Sequence, residues 1–509
     1  MIAPDVNLRK KVNLPVVVSL VMGTLVLFLW LGNRFDHHYD EFGYLYAAAN
    51  YTPAEIAAGR FEPSNIAGFF NAKIGHIVFL RFLIGLFGQG ITAIKAIQAV
   101  YTALIIGAGT MTVWLIGLLW GNWLRALVVG LLFLLTPASV YLGPKLLAET
   151  PGFFSGVASL LLLVLCLRTP KRGLQVLYSV GSAILLTVSL LSRGNMLLMV
   201  AGGWFALWVV CPPGMRRGSI LINSAIVGAL AVVFLFISQE LFGLDLLGAI
   251  HSVGSVMNQK NPWRRKVWQI FYTFGPFLAV LPLAVASEAK QEFRFYGIWL
   301  ACSILPLVIV LHYMEVRYLM GGAPAMAGMA MLGGEVVWGW LRKLHLPAMR
   351  IAGIGLVALI MAGSNHYIQP KTIYELDTSA YENVMGWIRK TAPHQPILVP
   401  WGWSDYHFLR MAYPEEPVYL ANTSTFFAPT SYARDVSTWD DAEQRWYGGR
   451  YVRNLAALKR LKGPWLFLSW ETPGYNTHHW SWIWDDLNLR RTLVYKHKRY
   501  RVYQLDENE

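Results

Sequence analysis

From Leu14 onward the chain is a succession of apolar runs, each close to the ~20 residues that a helix needs to cross a hydrocarbon core. That pattern excludes a soluble globular fold. Inside a bilayer the backbone finds no water, so such runs must be helices that satisfy their own amides. Composition agrees, because 14% of the residues are charged, where a soluble chain uses about a quarter. No small-residue cleavage site follows the first run, Leu14 to Leu31, which therefore reads as a retained helix.

A formal net charge of +14 would suggest nucleic acid in a soluble protein. Here the excess sits in short loops between apolar runs, while residues 366–509 are nearly balanced. This is the positive-inside pattern, and no nucleic-acid partner is expected. Arg9, Lys10 and Lys11 place the N-terminus in the cytoplasm. The connections with Arg168, Lys171 and Arg172, with Arg216 and Arg217, with Lys290 and Arg294, and with Arg342, Lys343 and Arg350 join it there. Loops 33–73, 142–148, 192–194, 243–265 and 312–317 then alternate outside. The implied spans are 14–32, 124–141, 147–167, 174–191, 195–211, 219–242, 266–286, 295–311, 318–339 and 350–364. Residues 74–119 hold two apolar runs broken at Gly88-Gln89-Gly90, yet parity there demands an odd number of crossings. Either one run lies in the interface or re-enters, or the second crosses twice. The total is about 11 spans, or 13. Cys166, Cys211 and Cys302 show neither a disulfide framework nor a zinc spacing.

The tail from His366 is too polar for the bilayer and long enough for a small domain. Pro396 to Pro400, Pro464 to Trp470 and Thr492 to Tyr495 read as strands, and Tyr381 to Lys390 and Val452 to Leu461 as helices. The expected architecture is a polytopic α-helical membrane domain over 1–365, with 33–73 as its first external loop. A small α/β domain over 366–509 follows on the non-cytoplasmic side of the cell inner membrane. Tail tryptophans such as Trp401, Trp403, Trp480, Trp482 and Trp484 fit core or interfacial positions better than sugar platforms.

The first 365 residues hold only 13 carboxylates, and an acid at membrane depth costs about 2.5–3.5 kcal/mol unless it faces a cavity or a partner. Three of them follow the first span in Asp36-His37-His38-Tyr39-Asp40-Glu41. Glu149 opens a later helix on the same face, and Glu315 stands near Arg317 at another external helix end. Lys73, Lys145, Arg193, Lys260, Arg264, Arg265 and Lys266 gather on that side too. A helix-end arginine ordinarily snorkels to headgroups, but external Arg193 and Arg317 oppose the positive-inside bias. An anionic partner is implied, and guanidinium groups bind phosphate bidentately. Acids and cations on one face describe a site for an anionic lipid, with a carboxylate placed for chemistry. His37 and His38 beside Asp36 and Asp40 are metal-ligand types. Adjacent positions in a helix, however, point their rings to different faces, and the reading without metal is preferred.

These motifs resemble the GT-C superfamily of lipid-carrier-dependent glycosyltransferases, in the branch of protein O-mannosyltransferases and lipid A aminoarabinose transferases. The similarity covers roughly residues 14–340. It lies in Tyr39-Asp40-Glu41-Phe42-Gly43-Tyr44 and Phe69-Phe70-Asn71-Ala72-Lys73-Ile74-Gly75, then Leu147-Ala148-Glu149-Thr150-Pro151 and Ser192-Arg193-Gly194. Glu315-Val316-Arg317-Tyr318 with Pro324 completes the set. The family usually has prolines after the lysine, and Asp is commoner where Glu149 stands. The resemblance implies a polyprenyl-phosphate sugar donor whose phosphate is held by Lys73, Arg193 and Arg317, with Glu149, Glu315 and Tyr318 in support. Asp40, rather than Glu41, would be the general base for an acceptor hydroxyl on a glycolipid, polysaccharide or protein, with inversion at the anomeric carbon. No cofactor is required and a divalent metal is optional. The rival reading is a transporter or flippase, whose charges would sit near the midplane between inverted repeats.

Overall fold

The computed structural model describes residues 39–57, 73–243, 263–275, 277–310, 316–343, 378–399, 406–421, 450–452, 460–461, 463–470, 489–498 and 500–507. Expected spans 14–32 and 350–364, most of loop 243–265, the five tail tryptophans named above and most of the expected helix at 452–461 lie outside those residues.

Helices dominate up to residue 343. They are α1 (Tyr39–Asn50), α2 (Pro53–Ala57), α3 (Ile74–Phe87), α4 (Ile91–Trp120), α5 (Trp123–Leu135), α6 (Pro137–Leu142), α7 (Glu149–Arg168), α8 (Arg172–Ser192) and α9 (Met196–Val210). There follow α10 (Arg217–Phe242), α11 (Trp263–Phe274), α12 (Phe277–Val280), α13 (Lys290–Val310) and α14 (Ala323–Lys343), with short 3-10 turns at Pro282–Ala286 and Val316–Gly322. Among the described residues α4, α7, α8, α10 and α13 are long and apolar enough to cross a bilayer, and α11 with the segment after it forms an apolar bent pair, a broken span or a re-entrant loop. The chain is a multi-pass membrane protein.

Helix α7 is the enclosed centre, packed on α4, α8, α9 and α10. Ser159 donates to the Ser182 carbonyl at 2.9 Å and Ser189 to the Gly152 carbonyl at 2.6 Å. Trp299 Nε1 on α13 donates to the Met199 carbonyl of α9 at 2.8 Å. Small polar residues of this kind let membrane helices approach closely while pairing their own polar atoms.

Two expected spans are not single helices. The run 124–141 divides at Thr136, whose side chain accepts from Ser139 N while Pro137 takes the first position of α6. There a missing amide is harmless. The run 266–286 bends by 90° between α11 and the segment from Phe277, with Gly275 at φ +50° at the corner, a backbone that favours glycine.

The region 74–119 resolves into α3 and one continuous α4. Gly90 N at their junction donates to the Met411 carbonyl of the tail at 2.9 Å, and Lys95 in the next turn pairs with Glu382 of the tail at 2.9 Å. The other end of α3, at Lys73, lies in the acid–base cluster described below. Both ends of α3 therefore lie toward the tail, and of the two helices only α4 has the length and composition to cross a bilayer.

Beyond residue 377 the described chain forms α15 (Thr378–Thr391), α16 (His407–Ala412) and strands β1 (Ile397–Val399), β2 (Val418–Ala421), β3 (Tyr451–Val452), β4 (Trp465–Trp470), β5 (Leu489–His497) and β6 (Tyr500–Glu507). They make one six-stranded sheet in the order β3-β2-β1-β4-β6-β5. The first four are parallel neighbours, and β6 pairs antiparallel with both β4 and β5. The small C-terminal α/β unit expected from the sequence is present.

Candidate active site

Four separate stretches of chain converge at the tail-side ends of the helices. Helix α1 supplies Asp40 and Glu41 in its first turn, where the helix dipole favours carboxylates. Glu149 opens α7. Arg193 follows the last turn of α8, its N–H bonded to the Ser189 carbonyl at 2.8 Å. Arg317 lies in the 3-10 turn before α14. All five side chains are buried.

Arg317 joins the group. Its Nη1 donates to Asp40 Oδ2 at 2.5 Å, and its Nε is 3.8 Å from Glu149 Oε1. That same Glu149 oxygen is 3.1 Å from Arg193 Nη2. Both guanidinium groups lie over the Tyr318 ring, at 4.7 Å for Arg193 and 5.5 Å for Arg317. Asn195 Nδ2 donates to the Tyr318 carbonyl at 3.0 Å, fastening the turn after α8 to that ring. Stacking and ion pairing together fix these planar cations, a task lysine cannot reproduce.

Glu41 is turned the other way. Its Oε2 accepts from Leu146 N at 2.9 Å, holding the loop between Lys145 and Glu149. Lys145 is buried with Nζ over the Tyr141 ring at 4.3 Å. Lys73, at the start of α3, stands over the Tyr44 ring at 5.1 Å. Burial pushes the Lys73 ammonium well below its ordinary value of 10.5, with Arg193 adding to the fall and Asp40 opposing it.

Two glycines permit this closeness. A Cβ on Gly75 would meet the Leu191 backbone carbon at 2.9 Å, and one on Gly152 would meet Arg193 Cβ at 3.1 Å. Glycine thus lets α3 lie against the end of α8, and α7 against Arg193.

The structure brings together Asp40, Glu41, Lys73, Glu149, Arg193, Arg317 and Tyr318. Glu315 and the trio Asp36, His37 and His38 lie outside the described residues. Among the described residues no three His, Cys, Asp or Glu side chains gather as metal ligands. Sequence reasoning missed His76 and Tyr101, both buried, with the Tyr101 hydroxyl 3.0 Å from His76 Nδ1. The ring of His76 also meets Tyr44 edge-on at 5.0 Å. The available signal was spacing, since His76 lies one helical turn beyond Lys73 and is a polar residue in an apolar run.

No family model and no curated protein matches the sequence. Solved structures do. ArnT from Cupriavidus metallidurans bound to undecaprenyl phosphate matches with a TM-score of 0.59 and 14% identity, over 96% of this chain and 97% of that one. The same protein in the apo state gives 0.58 and 13%, over 97% and 98%. The chain has the ArnT fold. The match runs nearly end to end, so the shared fold takes in the C-terminal sheet as well as the membrane helices.

Proposed function

We propose that this chain is a glycosyltransferase that moves a sugar from a polyprenyl-phosphate donor to an acceptor hydroxyl on a glycolipid, polysaccharide or protein. It acts on the non-cytoplasmic face of the cell inner membrane, the side on which the C-terminal domain would stand. The observation that carries the reading is the buried group of Lys73, Lys145, Arg193 and Arg317, which among the described residues stands with Asp40, Glu41 and Glu149 at helix ends. Likeness to a fold seen with undecaprenyl phosphate in ArnT adds support.

In this reading Arg193, Arg317 and Lys73 receive the donor phosphate, and Glu149 holds the two arginines in place until it arrives. The acceptor oxygen attacks the anomeric carbon from the face opposite the phosphate. The bond from that carbon to the phosphate oxygen breaks, and its electron pair leaves with the polyprenyl phosphate. The acceptor proton passes to Asp40. The leaving phosphate gains negative charge as the bond breaks, and fixed cations in a water-poor site stabilise such charge most effectively. Glu41, bonded to Leu146 N, secures the loop. Neither a cofactor nor a metal is needed for these steps.

Purified protein incubated with polyprenyl-phosphate sugars and a panel of acceptors tests this by mass spectrometry. An acceptor that gains the mass of one sugar supports the reading. Translocation of an unchanged lipid-linked sugar across a vesicle membrane, with no transfer, would establish the flippase instead.

A further inference from the structure

The carboxylate-bearing helix is not held by the membrane domain alone. Helix α1 lies between α3 and α16 of the C-terminal domain. Phe42, the residue after Glu41, meets Phe408 edge-on at 4.8 Å. One turn further along, Tyr46 lies 4.6 Å from the His407 ring and 6.1 Å from Tyr406. Behind Phe408 the packing continues into the sheet, since Tyr381 of α15 is 5.4 Å from Phe408 and 4.5 Å from Tyr500 of β6. Phe42, Phe408, Tyr381 and Tyr500 are all buried. A row of interlocked rings thus joins the sheet to the backbone beside Asp40 and Glu41, in edge and tilted arrangements that aromatic pairs favour. The same short α16 accepts the Gly90 N–H through the Met411 carbonyl, at the far end of the helix that begins beside Lys73.

We propose that the C-terminal domain is a working part of the active site, and that Phe408 is a positioning residue for Asp40 and Glu41. The proposal rests on the transfer reaction above for its kinetic consequence. Helix α1 has 12 residues, too few to be stable by itself in water, so its place depends on what packs against it. A displacement of about 1 Å at a reacting group can cost as much as 10²-fold in rate. Phe408 does not touch the cations assigned to the donor phosphate, so its loss acts on turnover rather than on donor capture.

The test uses the full chain in detergent or nanodiscs, with Phe408→Ala and the milder Phe408→Leu, which keeps most of the volume without the ring edge. Hydrogen exchange in peptides covering residues 39–50 is followed beside transfer kinetics. Local opening of a helix that has lost its packing raises exchange there. The expected result is about tenfold faster exchange over 39–50 in Phe408→Ala. Its kcat falls about 10- to 100-fold and the donor KM changes by less than about twofold, with Phe408→Leu between it and the parent. If Phe408→Ala loosens the whole C-terminal domain, Phe408→Leu decides alone. Faster exchange confined to 39–50 with lower kcat supports the proposal, and parental values for both overturn it. A parent protein that transfers no sugar would refute the reaction, whereas unchanged exchange over 39–50 in a folded variant would refute the positioning role.

Discussion

Asp40, Glu149, Arg193 and Arg317 are a buried ionic group with little to recommend it as a stabilising device. Taking charges out of water offsets most of what their attraction returns, and removing one partner of such a pair costs about 3–5 kcal/mol. Glu149 contacts both arginines through one oxygen. Glu149→Gln should therefore lower the melting temperature by several degrees, and added polyprenyl phosphate should recover part of the loss by supplying the missing negative charge. A melting temperature that is lowered but indifferent to polyprenyl phosphate would make the cluster purely structural. Lys73 offers a pH signature. Before phosphate arrives, burial makes its ammonium lose its proton below the ordinary value of 10.5; phosphate prefers the charged form, and affinity must fall as pH rises through the lowered value. Binding of polyprenyl phosphate, measured upward from about pH 7, where the phosphate is already dianionic, should weaken by up to about tenfold per unit once that value is passed. Lys73→Arg should flatten the profile. Equal profiles for the two proteins would remove Lys73 from the phosphate site.

At the scale of elements, close approach is what converts distant motifs into one site. Gly75→Ala would place a methyl group 2.9 Å from the Leu191 backbone, and overpacking of this kind costs about 1–3 kcal/mol. Helix α3 must then shift, carrying Lys73 away from Arg193, so weaker polyprenyl-phosphate binding should accompany a lower melting temperature. Gly85→Ala on the same helix, with open space around it, is the control that should leave both unchanged. Among the described residues, the helices at 147–167, 174–191, 195–211 and 219–242 were legible in the sequence because basic loops bracket them, and α7, α8, α9 and α10 begin and end within a few residues of those limits. The Thr136-Pro137 break and the corner at Gly275 were not read, because apolar patterning is the same in a bent run as in a straight one. The acids and arginines could be read because a charge at membrane depth needs a reason. Their pairing could not, since nothing local links Arg317 to Asp40 across 277 residues. His76 and Tyr101 escaped because a buried histidine in an apolar run is ordinarily a packed core residue.

On the scale of the whole molecule, sidedness organises everything described. Arg168 bonds to the carbonyls of Leu119 and Pro213, and Arg125 bridges Glu292 and Glu335, which gathers the basic loops at one end. Asp40, Glu41, Glu149, Arg193, Arg317 and the C-terminal sheet gather at the other. Lys390 is exposed on α15. Lys390→Cys, in a background with Cys166, Cys211 and Cys302 replaced, should react with an impermeant thiol reagent in intact spheroplasts. Labelling only after lysis would invert the topology. Asp40 carries the central step of the proposed transfer. Asparagine keeps its size and an acceptor for Arg317 but cannot take the proton. The decisive measurement is single-turnover sugar transfer by Asp40→Asn beside its affinity for polyprenyl phosphate. Transfer should fall by about 10²–10⁴-fold with affinity within a few fold of the parent. Transfer at the parental rate in Asp40→Asn would contradict the assigned chemistry.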